Sequence, residues 1–441
     1  MDYFNMKNLL IIAYYFPPSG GPGVQRVLKH VRYLREFGWN PIVLTVSNGQ
    51  FPARDESLLE QVPTDILVER THIYEPYDLY RLLTGKAKGS AIDVNVIKKD
   101  GAKSSFIDSL AEFIRATFFI PDARIGWKFT AYEAARKLIK EHNIEAIYSS
   151  SPPYTCSIIA RKMKREFKLP WVAGFRDPWT GFISSPKRWF LPSAIDKAME
   201  HSTFAEADFV ECAWEGIIKD ALAKYPDLEE KKFIHVPNGF DSNDLPQVEY
   251  TKTDKFTITY TGSMYGRRNP AAFFEAIQNL LDTQQIDANK LHLRFIGRFG
   301  DEVDAMFQKA SFKNSIEIIN YVPHHKSIEY LMLSDALLLV VDESKESAEI
   351  VPGKVYEYIG CKRPIIAVAP EEGAIADLIK ETKSGNVAHQ TNVSEIEKII
   401  LRNYTNWLNN SGDFNPNTDA IKKYERREAA KTLAELLDML S

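Results

Sequence analysis

Short apolar runs alternate with amphipathic stretches along most of the chain. Residues 9–13 form a continuous apolar run of strand length. Residues 23–37 follow, with Val24, Val27, Leu28, Val31 and Leu34 at helical spacing, so one helix face is predicted to be buried. Gly38 ends that helix, and residues 42–46 are the next strand. Strand, loop, helix and strand in this order seed a parallel sheet, because parallel neighbours need a crossover between them. The rhythm recurs with helices at 129–141 and 157–167 and strands at 146–149, 171–175 and 207–212.

A second rhythm starts after Val236-Pro237-Asn238-Gly239-Phe240-Asp241, with strands predicted at 256–261, 291–296, 316–319, 336–341 and 364–368. Pro237 and Gly239 mark a turn, and the polar stretch through Asp254 marks the hinge. Residues 420–440 read as an amphipathic helix. The chain is therefore expected to hold two α/β, doubly wound domains, divided at 240/241, with a terminal helix over 420–441. Residues 75–128 break the first rhythm. Within them, 106–119 has Phe106, Leu110, Phe113, Ile114 and Thr117 on one helical face. Two readings stay open for it: a core-packed helix, or an exposed apolar face near an acceptor or a membrane surface.

Composition narrows the classes. At 441 residues the chain is too long for one ordinary core. Hydrophobic residues make up 44% and charged residues 26%, which is a folded globular profile. Fifty-five basic and 59 acidic side chains leave a net charge of −4, which gives no general attraction to nucleic acid. Cys156, Cys212 and Cys361 lie far apart with no Cys-x-x-Cys spacing, so neither zinc nor a disulfide framework is indicated, and a reducing cytosol fits best. The apolar run at 9–16 is too short to span a membrane and runs into Pro17-Pro18.

In doubly wound domains ligands bind at the carboxyl ends of the strands. Four loops there carry candidate chemistry. Pro17 to Gly23, with Gly20 and Gly21, joins the first strand to its helix; glycines allow close backbone approach and the helix start favours a phosphate. Thr261-Gly262-Ser263-Met264-Tyr265-Gly266-Arg267-Arg268 follows the first strand of the second half, where arginines match phosphate oxygens with paired hydrogen bonds. Glu349-Ile350-Val351-Pro352-Gly353-Lys354-Val355-Tyr356-Glu357 places Pro352 at a helix start, leaving amides at Gly353 and Lys354 free for pyrophosphate. Glu349 precedes that helix, near where a sugar would lie, and Glu357 further along suits a ribose diol. Gly174-Phe175-Arg176-Asp177-Pro178-Trp179 ends a first-domain strand, with Asp177 facing the site and Arg176 placed to offset charge on a leaving phosphate. The plain alternative for that pair is an Arg–Asp ion pair that stiffens a turn.

At this point the chain resembles the GT-B glycosyltransferases, and within them the retaining glycosyltransferase family 4. The residues carrying the resemblance are Gly20-Gly21, Asn238-Gly239-Phe240-Asp241, Tyr260-Thr261-Gly262-Ser263, the Glu349/Glu357 motif, Gly360-Cys361-Lys362-Arg363-Pro364 and the last helix. The resemblance implies two Rossmann-like domains facing across a cleft. Residues 1–240 would be the acceptor side, 241–419 the nucleotide-sugar donor domain, and 420–441 a helix crossing back to the first. It implies retention of anomeric configuration, no metal and no cofactor beyond the donor substrate. Glu357 would bind ribose, Glu349 would lie beside the donor sugar, and Arg267 or Arg268 with Lys354 would neutralise the departing diphosphate. The loop through Val322 would pass near the base, with His324 and His325 taken as non-catalytic. Relatives often carry a lysine after the Gly-Ser strand end and a histidine after the strand that here ends at Phe175; Arg267-Arg268 and Arg176-Asp177 stand there instead. The metal-holding Asp-x-Asp motif is absent from the sequence.

The leading expectation is a hexosyltransferase-type enzyme moving a sugar from a nucleotide-diphosphate donor to a glycan or lipid-linked acceptor in cell-surface polysaccharide or lipopolysaccharide assembly. Its expected place is the cytoplasm, with a peripheral contact at the inner membrane face left open. Two alternatives stand beside it: a nucleotide-sugar-binding protein without turnover, and a nucleotide-sugar 2-epimerase on the same fold.

Overall fold

A computed structural model of the chain describes residues 6–51, 53–74, 113–181, 187–266, 268–320, 322–342, 351–412 and 414–441. It divides into two compact units, Met1–Pro237 with Ala429–Ser441, and Asn238–Glu428.

The first unit contains β1 (Lys7–Ala13), α1 (Pro22–Tyr33), β2 (Trp39–Val46), β3 (Val68–Thr71), α2 (Lys128–Glu141), β4 (Ile144–Ser151), α3 (Thr155–Phe167), β5 (Trp171–Phe175), α4 (Phe190–Glu206), β6 (Phe209–Cys212), α5 (Glu215–Lys224) and β7 (Phe233–His235). The strands form one parallel sheet in the order β3-β2-β1-β4-β5-β6-β7. Strand order reverses between β1 and β4, so the loops leaving those two strands open a crevice. β1 is buried on both faces, which explains its unbroken apolar run.

The second unit contains β8 (Phe256–Thr261), α6 (Ala271–Asp282), β9 (Leu291–Ile296), α7 (Asp301–Lys309), β10 (Ile316–Ile319), α8 (His324–Met332), β11 (Ala336–Val340), α9 (Gly353–Gly360), β12 (Ile365–Val368), α10 (Ala374–Thr382), β13 (Gly385–Ala388), α11 (Val393–Asn409) and α12 (Thr418–Lys422). Its parallel sheet runs β10-β9-β8-β11-β12-β13. The reversal here lies between β8 and β11, which singles out the β8 end and the segment after β11. Both units are doubly wound α/β sheets, as the alternating pattern predicts.

Three strands escaped the sequence reading: β3, β7 and β13. Each is three or four residues long and lies at or next to a sheet edge, too short to show a period. The expected helix over 420–440 is two helices, α12 and α13 (Arg426–Asp438). The break falls where the backbone pairs with residue 240: Phe240 N–H donates to Tyr424 O at 3.0 Å and Arg426 N–H to Phe240 O at 2.8 Å. Beyond the break, Leu433 and Leu437 are fully buried against Leu9, Ile11 and Val43. Each contributes about 1.5–3 kcal/mol of burial. Asp438 closes that contact by accepting from Trp39 Nε1 at 3.1 Å and pairing with Lys7 Nζ at 3.1 Å.

Of the apolar segment at 106–119, residues 113–118 are helical and the part before 113 lies outside the described residues. Ala116 is buried, but Phe113 and Phe118 are exposed.

Candidate functional site

In the second unit the sheet reversal gathers the β8 end, α8 and α9. Gly262 leaves β8 with φ 111°, a left-handed conformation that favours glycine. A side chain there would also approach Lys354 Nζ to 2.9 Å. The Lys354 ammonium donates to the Thr261 carbonyl at 3.0 Å and to the Tyr260 hydroxyl at 2.8 Å, and sits 4.2 Å from the Tyr260 ring centroid. Tyr260 in turn donates to Ser263 O at 3.0 Å. These bonds tie the first turn of α9 to the strand end.

Burial pushes the Lys354 ammonium down to about 7; the Arg268 charge pushes the same way and Glu357 opposes. Arg268 lies in the loop after β8. One of its terminal nitrogens reaches Ser263 O at 3.5 Å, while its Nε is buried with no hydrogen-bond partner among the described residues. A buried unpaired guanidinium nitrogen is costly and implies a missing acceptor. Pro352 precedes α9 with φ −60°, and Gly353 has open space where a side chain would stand. The amides of Gly353 and Lys354 fall in the first helical turn, ahead of the intrahelical bonding pattern. Lys354, Arg268 and those amides together make a positive cradle suited to a diphosphate.

Glu357 is partly exposed, one turn along α9, and its Oε1 lies 2.8 Å from His324 Nε2 at the start of α8. Sequence reasoning set His324 aside. The structure makes it the neighbour of Glu357, so it holds one carboxylate oxygen and orients the other. The only hint in the sequence was its place just after Val322-Pro323, one of the strand-end loops. Val322 and Val351 are partly buried in the loops preceding α8 and α9. Glu349 and Arg267 lie outside the described residues.

In the first unit, Arg176 follows β5 and does not pair with Asp177. Its guanidinium donates to Gly23 O at 3.1 Å, to Ser150 Oγ at 2.9 Å and to Pro152 O. It thus ties the first turn of α1 to the carboxyl ends of β4 and β5. The Asp177 carboxylate has no hydrogen-bond or ion-pair partner among the described residues, and burial raises it against the opposing charge of Arg176. The stiffening Arg–Asp pair weighed from the sequence is therefore not formed. Gly20 is less open than a ligand loop would suggest: its N–H donates to Ala53 O at 2.9 Å. Gly21 precedes α1 with nothing within 4 Å of where a side chain would be. The three cysteines are buried and unpaired, and burial pushes the Cys156 thiol up to about 12, which suits inert core residues. Among the described residues no three His, Cys, Asp or Glu side chains converge as a metal site requires.

No curated protein matches the sequence. Residues 241–425 match the family model for glycosyl transferases group 1. Solved structures are similar over nearly the whole chain. Anabaena HepE in complex with UDP aligns with a TM-score of 0.60 at 13% identity, covering 99% of this chain and 100% of that one. An S. aureus TarM mutant in complex with fondaparinux, alpha-GlcNAc-glycerol and UDP aligns at 0.59 and 11%, covering 98% and 100%. The lipopolysaccharide outer core galactosyltransferase WaaB, in its apo form, aligns at 0.58 and 12%, covering 98% and 99%. At such identities the likeness is one of fold. The cradle at the β8 end thus lies within the stretch, residues 241–425, that matches the glycosyl transferases group 1 model, in a chain with the GT-B fold.

Proposed function

We propose that this protein is an enzyme that transfers a sugar from a nucleotide-diphosphate donor to an acceptor hydroxyl. The observation carrying the reading is the unpaired Arg268 Nε beside Lys354 and the open first turn of α9, at the reversal point of the group 1 domain. In this reading Arg268, Lys354 and the amides of Gly353 and Lys354 hold the diphosphate, with Gly262, Ser263, Val351 and Pro352 shaping its bed. Glu357 takes the ribose diol, held in place by His324, and Val322 lies toward the base. Arg267 adds charge and Glu349 lies beside the sugar, both assigned from the motif resemblance. In the first unit, Gly20 and Gly21 belong to the donor-binding set and Arg176 and Asp177 serve the reacting centre, all four assigned from the sequence.

Charge that develops on the leaving phosphate is stabilised by cations already in place, which is the main lever for such a transfer. Retention of configuration, hexose as the sugar, and a role in cell-surface polysaccharide or lipopolysaccharide assembly complete the proposal. The HepE and TarM structures were solved with UDP, which supports a nucleoside diphosphate as the ligand class.

The reading is tested by donor turnover with Glu357→Ala. Loss of a charged acceptor for the ribose diol is expected to raise the donor KM by roughly 10–100-fold, from about 1.5–3 kcal/mol. An unchanged KM removes Glu357 from the site. A pH effect follows from Lys354. In the free protein its ammonium titrates near 7, below the usual lysine range. A bound diphosphate favours the charged form and so raises that value. Donor binding then takes up a proton above pH 7, and donor affinity falls by up to about tenfold per pH unit as pH rises from there. Calorimetry in buffers of different ionisation enthalpy reads the proton uptake directly. Lys354→Met is expected to abolish it, and uptake that persists in this variant refutes the assignment.

A further inference from the structure

The first unit carries an exposed aromatic surface that the proposed reaction does not use. Phe113 and Phe118 stand out from the helical residues 113–118, Phe118 at 68% exposure. Trp189, Phe190, Leu191 and Ile195 stand out from the start of α4, Phe190 at 84%. α4 has two faces: Pro192, Asp196 and Glu200 are buried, whereas Leu191 and Ile195, one turn apart, face outward.

The two segments are fastened together. Arg188 donates to the carbonyls of Ala116, Phe119 and Pro121 at 2.7–2.9 Å and to Asp196 at 2.7 Å. Trp189 Nε1 donates to Thr117 Oγ1 at 2.9 Å. The indole N–H is thereby satisfied within the protein, so the ring can leave water without stranding a donor. The six apolar side chains thus stand on two segments tied to one another.

Charge decides what kind of partner fits. Residues 113–124 and 187–197 contain five cations, Arg115, Arg124, Lys187, Arg188 and Lys197, and two carboxylates, Asp122 and Asp196, in a chain of net charge −4. Both carboxylates are engaged within the protein, and so are two of the cations: Arg124 is buried and Arg188 pairs with Asp196, which leaves Arg115, Lys187 and Lys197 for the rim. Asp122 accepts from Thr155 N at 2.9 Å and Thr155 Oγ1 at 2.8 Å, and Asp196 from Trp179 Nε1 at 2.8 Å. Lys187 and Lys197 are exposed. Aromatic and aliphatic groups projecting past a cationic rim match an anionic lipid surface, with rings at the headgroup level and lysines among phosphates. No helix among the described residues is long and apolar enough to cross a membrane, so the contact is with the surface.

We propose that Phe113, Phe118, Trp189, Phe190, Leu191 and Ile195 insert into the headgroup region of an anionic bilayer, steered there by Lys187 and Lys197. This stands apart from the donor-site reading, because vesicle binding is measured without any sugar donor.

The test is co-flotation of the full chain with vesicles of phosphatidylcholine alone and of phosphatidylcholine with phosphatidylglycerol, at low and high salt. Binding to the phosphatidylglycerol vesicles, weakened by salt, is expected. The double variant Phe190→Ser/Leu191→Ser is expected to lose at least about tenfold in partition, since each deeply inserted apolar side chain contributes in proportion to its buried area. Lys187→Glu/Lys197→Glu is expected to lose binding at low salt. Both pairs are exposed, so an unchanged melting curve checks that the fold is kept. Equal partition by the wild type and the Phe190/Leu191 variant overturns the proposal, as does equal binding to neutral and anionic vesicles or no binding to either. Sedimentation showing a dimer that the Phe190/Leu191 variant dissociates also overturns it, because the surface then belongs to a second copy of the chain.

Discussion

Arg268→Ala is expected to lower kcat for sugar transfer by roughly 10²–10³-fold, the loss typical of removing one pre-placed group from a developing negative charge. The physical case rests on its Nε, which is buried and has no partner among the described residues. In water that nitrogen would be hydrated; here it is buried and bonded to no described residue, which in this reading leaves it for an anionic ligand. Part of the electrostatic cost of charge build-up on the leaving phosphate is thus met when the protein folds. Arg268→Lys keeps the charge but presents a point donor in place of a planar fork, so it should recover only part of the rate. Steady-state kinetics at saturating donor reads both variants. A kcat within threefold of wild type, roughly 0.7 kcal/mol, for Arg268→Ala would move the diphosphate elsewhere. Because Lys354 is lowered partly by the Arg268 charge, the same substitution should raise the pH at which donor affinity begins to fall.

Glu211→Ala is expected to be the most destabilising single change in the first unit, by about 3–5 kcal/mol. Glu211 is fully buried on β6 and pairs with Arg26 at 2.7 Å. It also accepts from the Tyr148 hydroxyl at 2.5 Å and lies 3.4 Å from His30 Nε2. Arg26 further donates to Val236 O at 2.7 Å, where the chain leaves β7. Removing the carboxylate takes from the buried Arg26 guanidinium its ion-pair partner at 2.7 Å and from Tyr148 its acceptor. At about 2–4 °C per kcal/mol for a unit of this size, the melting temperature should fall by roughly 10 °C.

The pH dependence has a definite sign. Burial alone would raise the Glu211 carboxyl, but the Arg26 charge and the His30 and Arg26 hydrogen bonds outweigh it and hold it far below the usual carboxylate range. A depressed folded value means that its stabilisation is complete above the unfolded carboxylate range and is lost as pH falls below it. Acid titration of the melting temperature should therefore be steeper for wild type than for Glu211→Ala. Equal slopes would show that the carboxylate adds nothing to folding.

The sequence determined the α/β class and the central strands because parallel strands buried on both faces must be continuous apolar runs. The central strands β5, β8 and β9 begin and end where the stretches at 171–175, 256–261 and 291–296 do, and so does the edge strand β10 at 316–319. The edge strands β3 and β13 were invisible because their sequences, VERT and GNVA, carry few apolar side chains, unlike the equally short IEII of β10, and only pairing with a neighbour defines them. The β8-end loop and the first turn of α9 could be nominated from glycine, proline and arginine at strand ends, where local backbone rules operate.

Which side chains stand free was not legible, because each answer depends on atoms far along the chain. Arg176 turns from its neighbour Asp177 to carbonyls of Gly23 and Pro152. His324 reaches Glu357 across 33 residues, and Arg26 reaches Glu211 across 185. The exposure of Phe113 was one of two readings left open by the sequence, and only the fold decides it and ties its segment to that of Phe190. Apolar periodicity is a local property and survives in the one-dimensional record. Hydrogen-bond satisfaction, charge pairing and exposure are long-range properties, and only the folded chain decides them.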